Sequence, residues 1–131
     1  MTDISGVLHA YADAWMRGDV SALAALYDDD FTLHYPGEHP LAGVHRGKPA
    51  ALRVLAEVSR RVRRRLLRVT DVMSGAQRGA LQVVEEWTRE GETMQLDRVL
   101  VYTVRDGRLT ACWLFDADAR AVARFLRDAA T

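Results

Sequence analysis

The stretch FTLHYPGEHPLAGVHRG, residues 31–47, decides the fold of this chain. Its first five residues alternate in character, which predicts a strand, and Pro36-Gly37 ends that strand. A loop follows as far as Gly47, and Pro49 suits the first turn of a helix that runs to about Arg65. The buried stripe of this helix is predicted to consist of Leu52, Leu55, Val58, Val62 and Leu66. The stretch therefore predicts a strand, a loop and a helix in succession.

The flanking sequence extends this pattern on both sides. Upstream, helical spacing predicts a first helix that ends at Gly18, then a short second helix capped by Asp19 and ended by Asp28-Asp29-Asp30. Downstream, alternation and turn signals predict four antiparallel strands: Leu67–Met73, Ala80–Thr88, Met94–Val104 and Leu109–Phe115. A last helix is predicted from Ala119 to Asp128, capped by Asp116 or Asp118. Strands in a run with helices grouped around them are typical of the α+β class, and residues 1–131 are predicted to form one domain.

Composition excludes several classes of protein. The 131 residues carry 18 basic and 18 acidic side chains, and this zero net charge argues against a nucleic-acid partner. The single cysteine, Cys112, excludes an internal disulfide and a cysteine-rich zinc site. No apolar run approaches the roughly 18 residues of a membrane span. The polar start Met1-Thr2-Asp3 does not resemble a signal peptide, so we expect a cytoplasmic protein without a membrane partner.

Three segments carry a resemblance to a known superfamily: YADAWMRGD at 11–19, YPGEHPLAG at 35–43 with Arg46-Gly47, and VYTVRDGRL at 101–109 followed by Trp113. Together they resemble the nuclear transport factor 2-like, or ketosteroid isomerase-like, superfamily and in particular the SnoaL-like polyketide cyclases. The resemblance implies a cone-shaped curved antiparallel sheet packed on three to four helices around a hydrophobic pocket. It also implies a homodimer formed through the outer sheet face.

The resemblance assigns roles to individual positions. Tyr11 matches the tyrosine that donates a hydrogen bond to an oxyanion in ketosteroid isomerases. Where relatives carry acids and bases, this chain has Tyr35, Leu100 and Leu114. A shift of one or two residues in the alignment would bring Asp116 into the site. These replacements favour a binding protein over the family's own mechanisms.

Glu85 is the sharpest catalytic candidate from the residues themselves. It shares a strand face with Leu81, Val83 and Trp87, where a carboxylate would be desolvated and suited to acid/base chemistry. Arg98, on the next strand, could pair with it and hold it ionised. A purely structural ion pair, or a Glu85 that faces solvent, is the alternative.

Further candidates complete the expected site. His34 could move a proton near neutral pH or be an idle, partly exposed histidine. The expected substrate-binding residues are Trp15, Tyr35, Trp87, Leu100, Tyr102, Trp113 and Leu114. His34, His39 and His45 with Glu38 match no common zinc spacing, so we expect neither a metal nor a cofactor. The arginine-rich run 60–68 is interpreted as the solvated face of the third helix.

Two functions therefore stay open. The first is a cofactor-independent enzyme that cyclises, isomerises or opens an epoxide in a hydrophobic oxygenated small molecule of secondary metabolism. The second is a non-catalytic ligand-binding or accessory protein that uses the same cavity.

Overall fold

A computed structural model describes residues 3–128 of the chain. It contains four helices: α1 (Ile4–Arg17), α2 (Val20–Leu26), α3 (Lys48–Arg61) and α4 (Ala119–Leu126). Their ends follow the predicted signals. Gly18 ends α1 with a φ of 66°, in the left-handed region that favours glycine. Asp19 and Asp118 cap α2 and α4 by accepting hydrogen bonds from the backbone N–H groups of Ala22 and Ala121.

Six strands form one curved sheet. They are β1 (Tyr27–Tyr35), β2 (Gly43–Arg46), β3 (Arg63–Ser74), β4 (Arg78–Arg89), β5 (Glu92–Arg105) and β6 (Arg108–Asp116). Their spatial order is β2-β1-β6-β5-β4-β3. The predicted α+β architecture is confirmed, but the sheet is mixed, because β1 lies parallel to β6 while every other neighbouring pair is antiparallel. The N-terminal half thus contributes an extra edge to the four-stranded antiparallel meander.

Two segments differ from the sequence prediction. The predicted loop before Gly47 contains β2, which pairs with β1 from Thr32↔Arg46 to Tyr35↔Gly43. The arginine run does not continue α3. The helix ends at Arg61, Val62 adopts an extended conformation, and β3 begins one residue later. The spacing of Val62 and Leu66 fits a helix, but tertiary pairing with β4 determines a strand.

The helices cover the concave face of the sheet. Helix α1 packs on β3 and β4, α3 packs on β1, and α4 packs near β6. Each buried strand contributes alternate side chains to the core, as in β4, where Leu81, Val83, Glu85 and Trp87 are all buried. No helix within residues 3–128 is both long and apolar enough to cross a membrane. The concave face therefore holds the core and any internal cavity.

Candidate functional site

A cavity of about 440 Å³ lies between the concave face of the sheet and helices α1, α2 and α3. Its volume falls in the ordinary range for small-molecule sites, roughly 300–1,000 Å³. Apolar side chains form most of its wall: Trp15, Val20, Leu23, Leu52, Leu55, Leu100 and Leu114. Six polar side chains interrupt them: Tyr11, Tyr27, Ser59, Arg64, Glu85 and Arg98. The cavity is therefore suited to an apolar molecule that carries a few polar groups.

Glu85 and Arg98 form a buried ion pair at this wall. Arg98 Nη1 lies 2.8 Å from Glu85 Oε2, and the two residues are only 3% and 1% exposed. Trp87 Nε1 lies 3.4 Å from the other oxygen of Glu85, and the Arg98 guanidinium lies 4.9 Å from the centre of a Trp87 ring. A carboxylate can accept about four hydrogen bonds. Glu85 therefore keeps acceptor capacity for a molecule in the cavity.

Asp116 and Tyr35 hold Arg98 from the side away from the cavity. Arg98 Nε donates to Asp116 Oδ1 at 2.5 Å, and Arg98 Nη2 donates to the Tyr35 hydroxyl at 2.9 Å. Burial opposes the charge of Arg98, but Tyr35, Glu85 and Asp116 outweigh burial and raise the pKa of Arg98 well above its ordinary value. Arg98 is therefore permanently charged and fixed in orientation.

The charges of this cluster do not cancel. The carboxyl groups of Glu85 and Asp116 share one guanidinium, so counting formal charges leaves one negative charge in excess. An uncompensated charge in a buried site is costly, and binding a proton removes it. Glu85 contacts the cavity, whereas Asp116 lies behind Arg98. The arrangement can take a proton from a molecule in the cavity and return it.

Tyr11 contributes a second polar group to the same cavity. Its hydroxyl forms a short hydrogen bond with the hydroxyl of Tyr27, which also lines the cavity. Burial raises the pKa of Tyr11 to about 12, so this hydroxyl keeps its proton at neutral pH. Such a hydroxyl can donate a hydrogen bond to an oxygen on which negative charge develops.

The remaining expected site residues fall into two groups. Tyr35, Trp87 and Tyr102 are buried beneath the cavity wall, and the Tyr102 ring lies 5.5 Å from that of Tyr11. They support the wall rather than line it. Of the expected residues, Tyr11, Trp15, Glu85, Arg98, Leu100 and Leu114 line the cavity directly.

His34 and Trp113 lie on the convex face of the sheet, away from this cavity. Their rings stack with centroids 4.5 Å apart, and the guanidinium of Arg78 lies 4.7 Å from the Trp113 ring. Both line a separate groove with Val44 and Phe115. The sequence predicted that both residues contribute to the internal pocket, and this is wrong. Strand alternation turns Leu33 and Leu114 inward, so the adjacent residues His34 and Trp113 face outward.

Three polar residues of the cavity, Tyr27, Ser59 and Arg64, are not among the site residues expected from the sequence. Tyr27 falls within the predicted second helix, but in the structure it begins β1 and faces inward beside Tyr11. Arg64 falls within the predicted solvated helix face, but in the structure it lies in β3 and lines the cavity. Alternation with buried Val62 and half-buried Leu66 would have signalled the inward direction of Arg64, had the strand been recognised.

Metal-ligating and thiol side chains are the remaining groups of chemical interest. Within residues 3–128, no cluster of three histidine, cysteine or acidic side chains could hold a metal ion. Cys112 is buried, and burial raises the pKa of its thiol to about 12. A thiol is a poor nucleophile in its protonated form. Cys112 therefore acts as a small core residue.

Comparison with known proteins agrees with this architecture. Residues 8–112 match the SnoaL-like domain family. An uncharacterized protein of Mycobacterium tuberculosis is 28% identical over 125 residues, which cover 94% of this chain and 95% of that protein. A Xanthomonas campestris protein of unknown function with a cystatin-like fold superposes with a TM-score of 0.90 at 22% identity, covering 97% of this chain and 100% of that one. A candidate polyketide cyclase from the same species gives a TM-score of 0.75 at 22% identity, covering 93% and 96%.

Proposed function

Because this chain belongs to the SnoaL-like domain family, as its sequence resemblance implied, we propose that it is a cofactor-independent enzyme with Glu85 as its acid/base. The substrate is a hydrophobic, oxygenated small molecule held in the internal cavity. The observation that carries this proposal is the buried Glu85–Arg98–Asp116 cluster, in which two carboxyl groups share one guanidinium and Glu85 lies at the wall of a mostly apolar cavity.

Each polar residue has a distinct role in this proposal. Glu85 removes a proton from a carbon next to a carbonyl group, or from a water molecule that opens an epoxide. Tyr11 donates a hydrogen bond to the oxygen that becomes negative. Arg98 does not exchange protons, because its pKa is raised, and acts as a positioning residue that orients Glu85. Return of the proton from Glu85 to a different atom completes a cyclisation or isomerisation.

The experiment compares wild-type protein with Glu85→Gln on a metabolite extract of the source organism. Native mass spectrometry identifies bound molecules, and chromatography with mass detection profiles the free molecules before and after incubation in D₂O. Glu86→Gln is the matched control, because Glu86 neighbours Glu85 but lies outside the cavity, 3.6 Å from Arg65.

We expect wild type and Glu86→Gln to convert a bound metabolite or to exchange its hydrogen for deuterium at carbon. Glu85→Gln should bind the same metabolite within about threefold while losing turnover. A ligand that every variant returns unchanged and without deuterium would contradict the enzyme and support a non-catalytic binding protein. Leu100 and Leu114 favour that second function, because the resemblance implies a hydrogen-bond donor at the first position and an acid/base aspartate at the second.

The same proposal includes a homodimer formed through the convex face. Val44 and Phe115 are 50% and 51% exposed there and border one apolar groove with Trp113. Sedimentation analysis of wild type and Phe115→Asp tests it. A dimer that Phe115→Asp converts to monomer supports the proposal, and a wild-type monomer contradicts it.

A further inference from the structure

Arg64 brings a second guanidinium to the cavity, and its surroundings differ from those of Arg98. Its Nε donates to Ser59 Oγ at 3.1 Å, and one Nη atom lies 3.5 Å from the carbonyl oxygen of Leu55. Ser59 and Leu55 also line the cavity. Within residues 3–128, Arg64 forms no ion pair, so neutral oxygens orient its charge without cancelling it.

The position of Arg64 in the sheet separates it from the acid/base cluster. Arg64 is the register partner of Trp87 on β4, and Leu66 is that of Glu85. Two residues along a strand span about 7 Å. Arg63 and Arg65, on either side, are exposed, so within this part of the run Arg64 alone turns toward the cavity. One apolar cavity thus presents an uncompensated cation at one position and a proton acceptor at another.

A guanidinium has five N–H donors in a planar fork that matches a carboxylate. Arg64 uses one donor on Ser59 and another on Leu55, which leaves others for a ligand. Apolar surroundings strengthen an ion pair, because less water screens the two charges. A neutral ligand would leave this cation in a mostly apolar cavity without an ion-pair partner of its own.

We propose that Arg64 binds a carboxylate of the cavity ligand, so that the substrate is an apolar organic acid. The carboxylate pairs with Arg64, while the carbon or oxygen that reacts lies toward Glu85. This inference rests on the proposed function for its substrate, but its binding step does not require turnover.

The test uses two probes of nearly equal shape, 2-naphthoate and its neutral methyl ester, titrated by calorimetry into four proteins. These are wild type, Arg64→Gln, Arg64→Lys and Arg63→Gln, the last being the control on the exposed neighbour. We expect wild type to bind the acid at least about tenfold more tightly than the ester, as a charge-assisted hydrogen bond allows. Arg64→Gln should bring that ratio to about one, and Arg63→Gln should leave it unchanged. Arg64→Lys should keep part of it, because the charge stays and the fork is lost.

Several outcomes would overturn the inference. The first is a wild type that binds acid and ester equally. The second is an Arg64→Gln variant that still prefers the acid, and the third is an Arg63→Gln variant that loses the preference for the acid as completely as Arg64→Gln does. The ester serves as an independent check on the cavity: if it binds while the acid has no advantage, the cavity stands and the Arg64 site fails. If neither probe binds wild type, both the site and its cavity are refuted. A different result separates the two proposals. If the acid binds through Arg64 but no protein converts a metabolite in the earlier experiment, the acid/base chemistry is refuted and the Arg64 site stands.

Discussion

Arg98 on β5 donates to Glu85 on β4 at 2.8 Å, although the two residues are not directly opposite each other. Val83 is the register partner of Arg98, and Leu96 is that of Glu85. The ion pair is therefore diagonal, within reach of long side chains on neighbouring strands. Asp116 on β6 is directly opposite Arg98. Three consecutive strands of the sheet thus each contribute one charge to a single buried cluster.

Removing the cation should strongly destabilise the protein. We expect Arg98→Met to lower the free energy of unfolding by about 3–5 kcal/mol, because it leaves Glu85 and Asp116 buried without their common partner. Urea denaturation measures the change. Arg63→Met is the control at an exposed arginine, and its free energy of unfolding should stay within about 0.5 kcal/mol of the wild-type value. Adding Glu85→Gln to Arg98→Met should recover part of the loss. A loss below about 1 kcal/mol would show that the cluster behaves like a surface ion pair.

The tyrosine pair at the cavity wall should behave as one unit. Tyr11→Phe leaves the hydroxyl of buried Tyr27 without the partner it has in the structure, which should cost about 1–3 kcal/mol. Tyr27→Phe should cost a similar amount for the reciprocal reason. The double variant removes both hydroxyls, and we expect its loss to be smaller than the sum of the single losses. Strictly additive losses in urea denaturation would mean that the two hydroxyls do not depend on each other.

Much of the fold could be predicted from the sequence because its signals are local. Asp19 and Asp118 cap helices through their own side chains, and Gly18 takes a conformation that few other residues adopt. Evidence within short stretches was sufficient for these features. Alternation also made a Glu85–Arg98 pair one of the predicted arrangements, but it left open which face of β4 carries Glu85, and the packing of the sheet decides that.

Other features depend on long-range pairing that no short stretch encodes. Val58, Val62 and Leu66 fit a helical stripe, so the change to β3 after Arg61 depends on pairing with β4. Both faces of β6 carry apolar residues, and only the packing of the whole sheet decides that Leu114 faces the internal cavity and Trp113 the outer groove. Arg64 and His34 were misplaced for these two reasons.

The start of β4 should tolerate no side chain at residue 79. A Cβ at Gly79 would overlap Leu8 Cδ1 and would lie 2.7 Å from Ile4 Cγ2, so helix α1 packs directly on this backbone. We expect Gly79→Ala to destabilise the protein by about 1–3 kcal/mol, as overpacking of a core does. Adding Leu8→Ala should give a double variant more stable than the sum of the two changes predicts. An unchanged urea midpoint for Gly79→Ala would mean that α1 can move away at no cost.

Stability should fall in mild acid because of His39. Burial lowers the pKa of this imidazole, whose ring packs against Tyr35 with centroids 4.6 Å apart. A histidine whose pKa is lower in the folded state binds its proton first in the unfolded state. Its contribution to stability is therefore complete above the unfolded pKa, about 6.5, and is lost as the pH falls toward the folded pKa. Partial burial and Arg46 lower the pKa of His34 in the same direction.

We therefore expect the urea midpoint of wild type to decrease between pH 7.5 and pH 5.5, and His39→Gln to reduce that decrease. His9→Gln changes an exposed histidine and should leave the decrease as it is in wild type. The comparison rests on the difference between the two histidine variants rather than on wild type alone. Equal pH dependence in His39→Gln and His9→Gln would show that His39 takes up its proton as readily in the folded protein as in the unfolded chain.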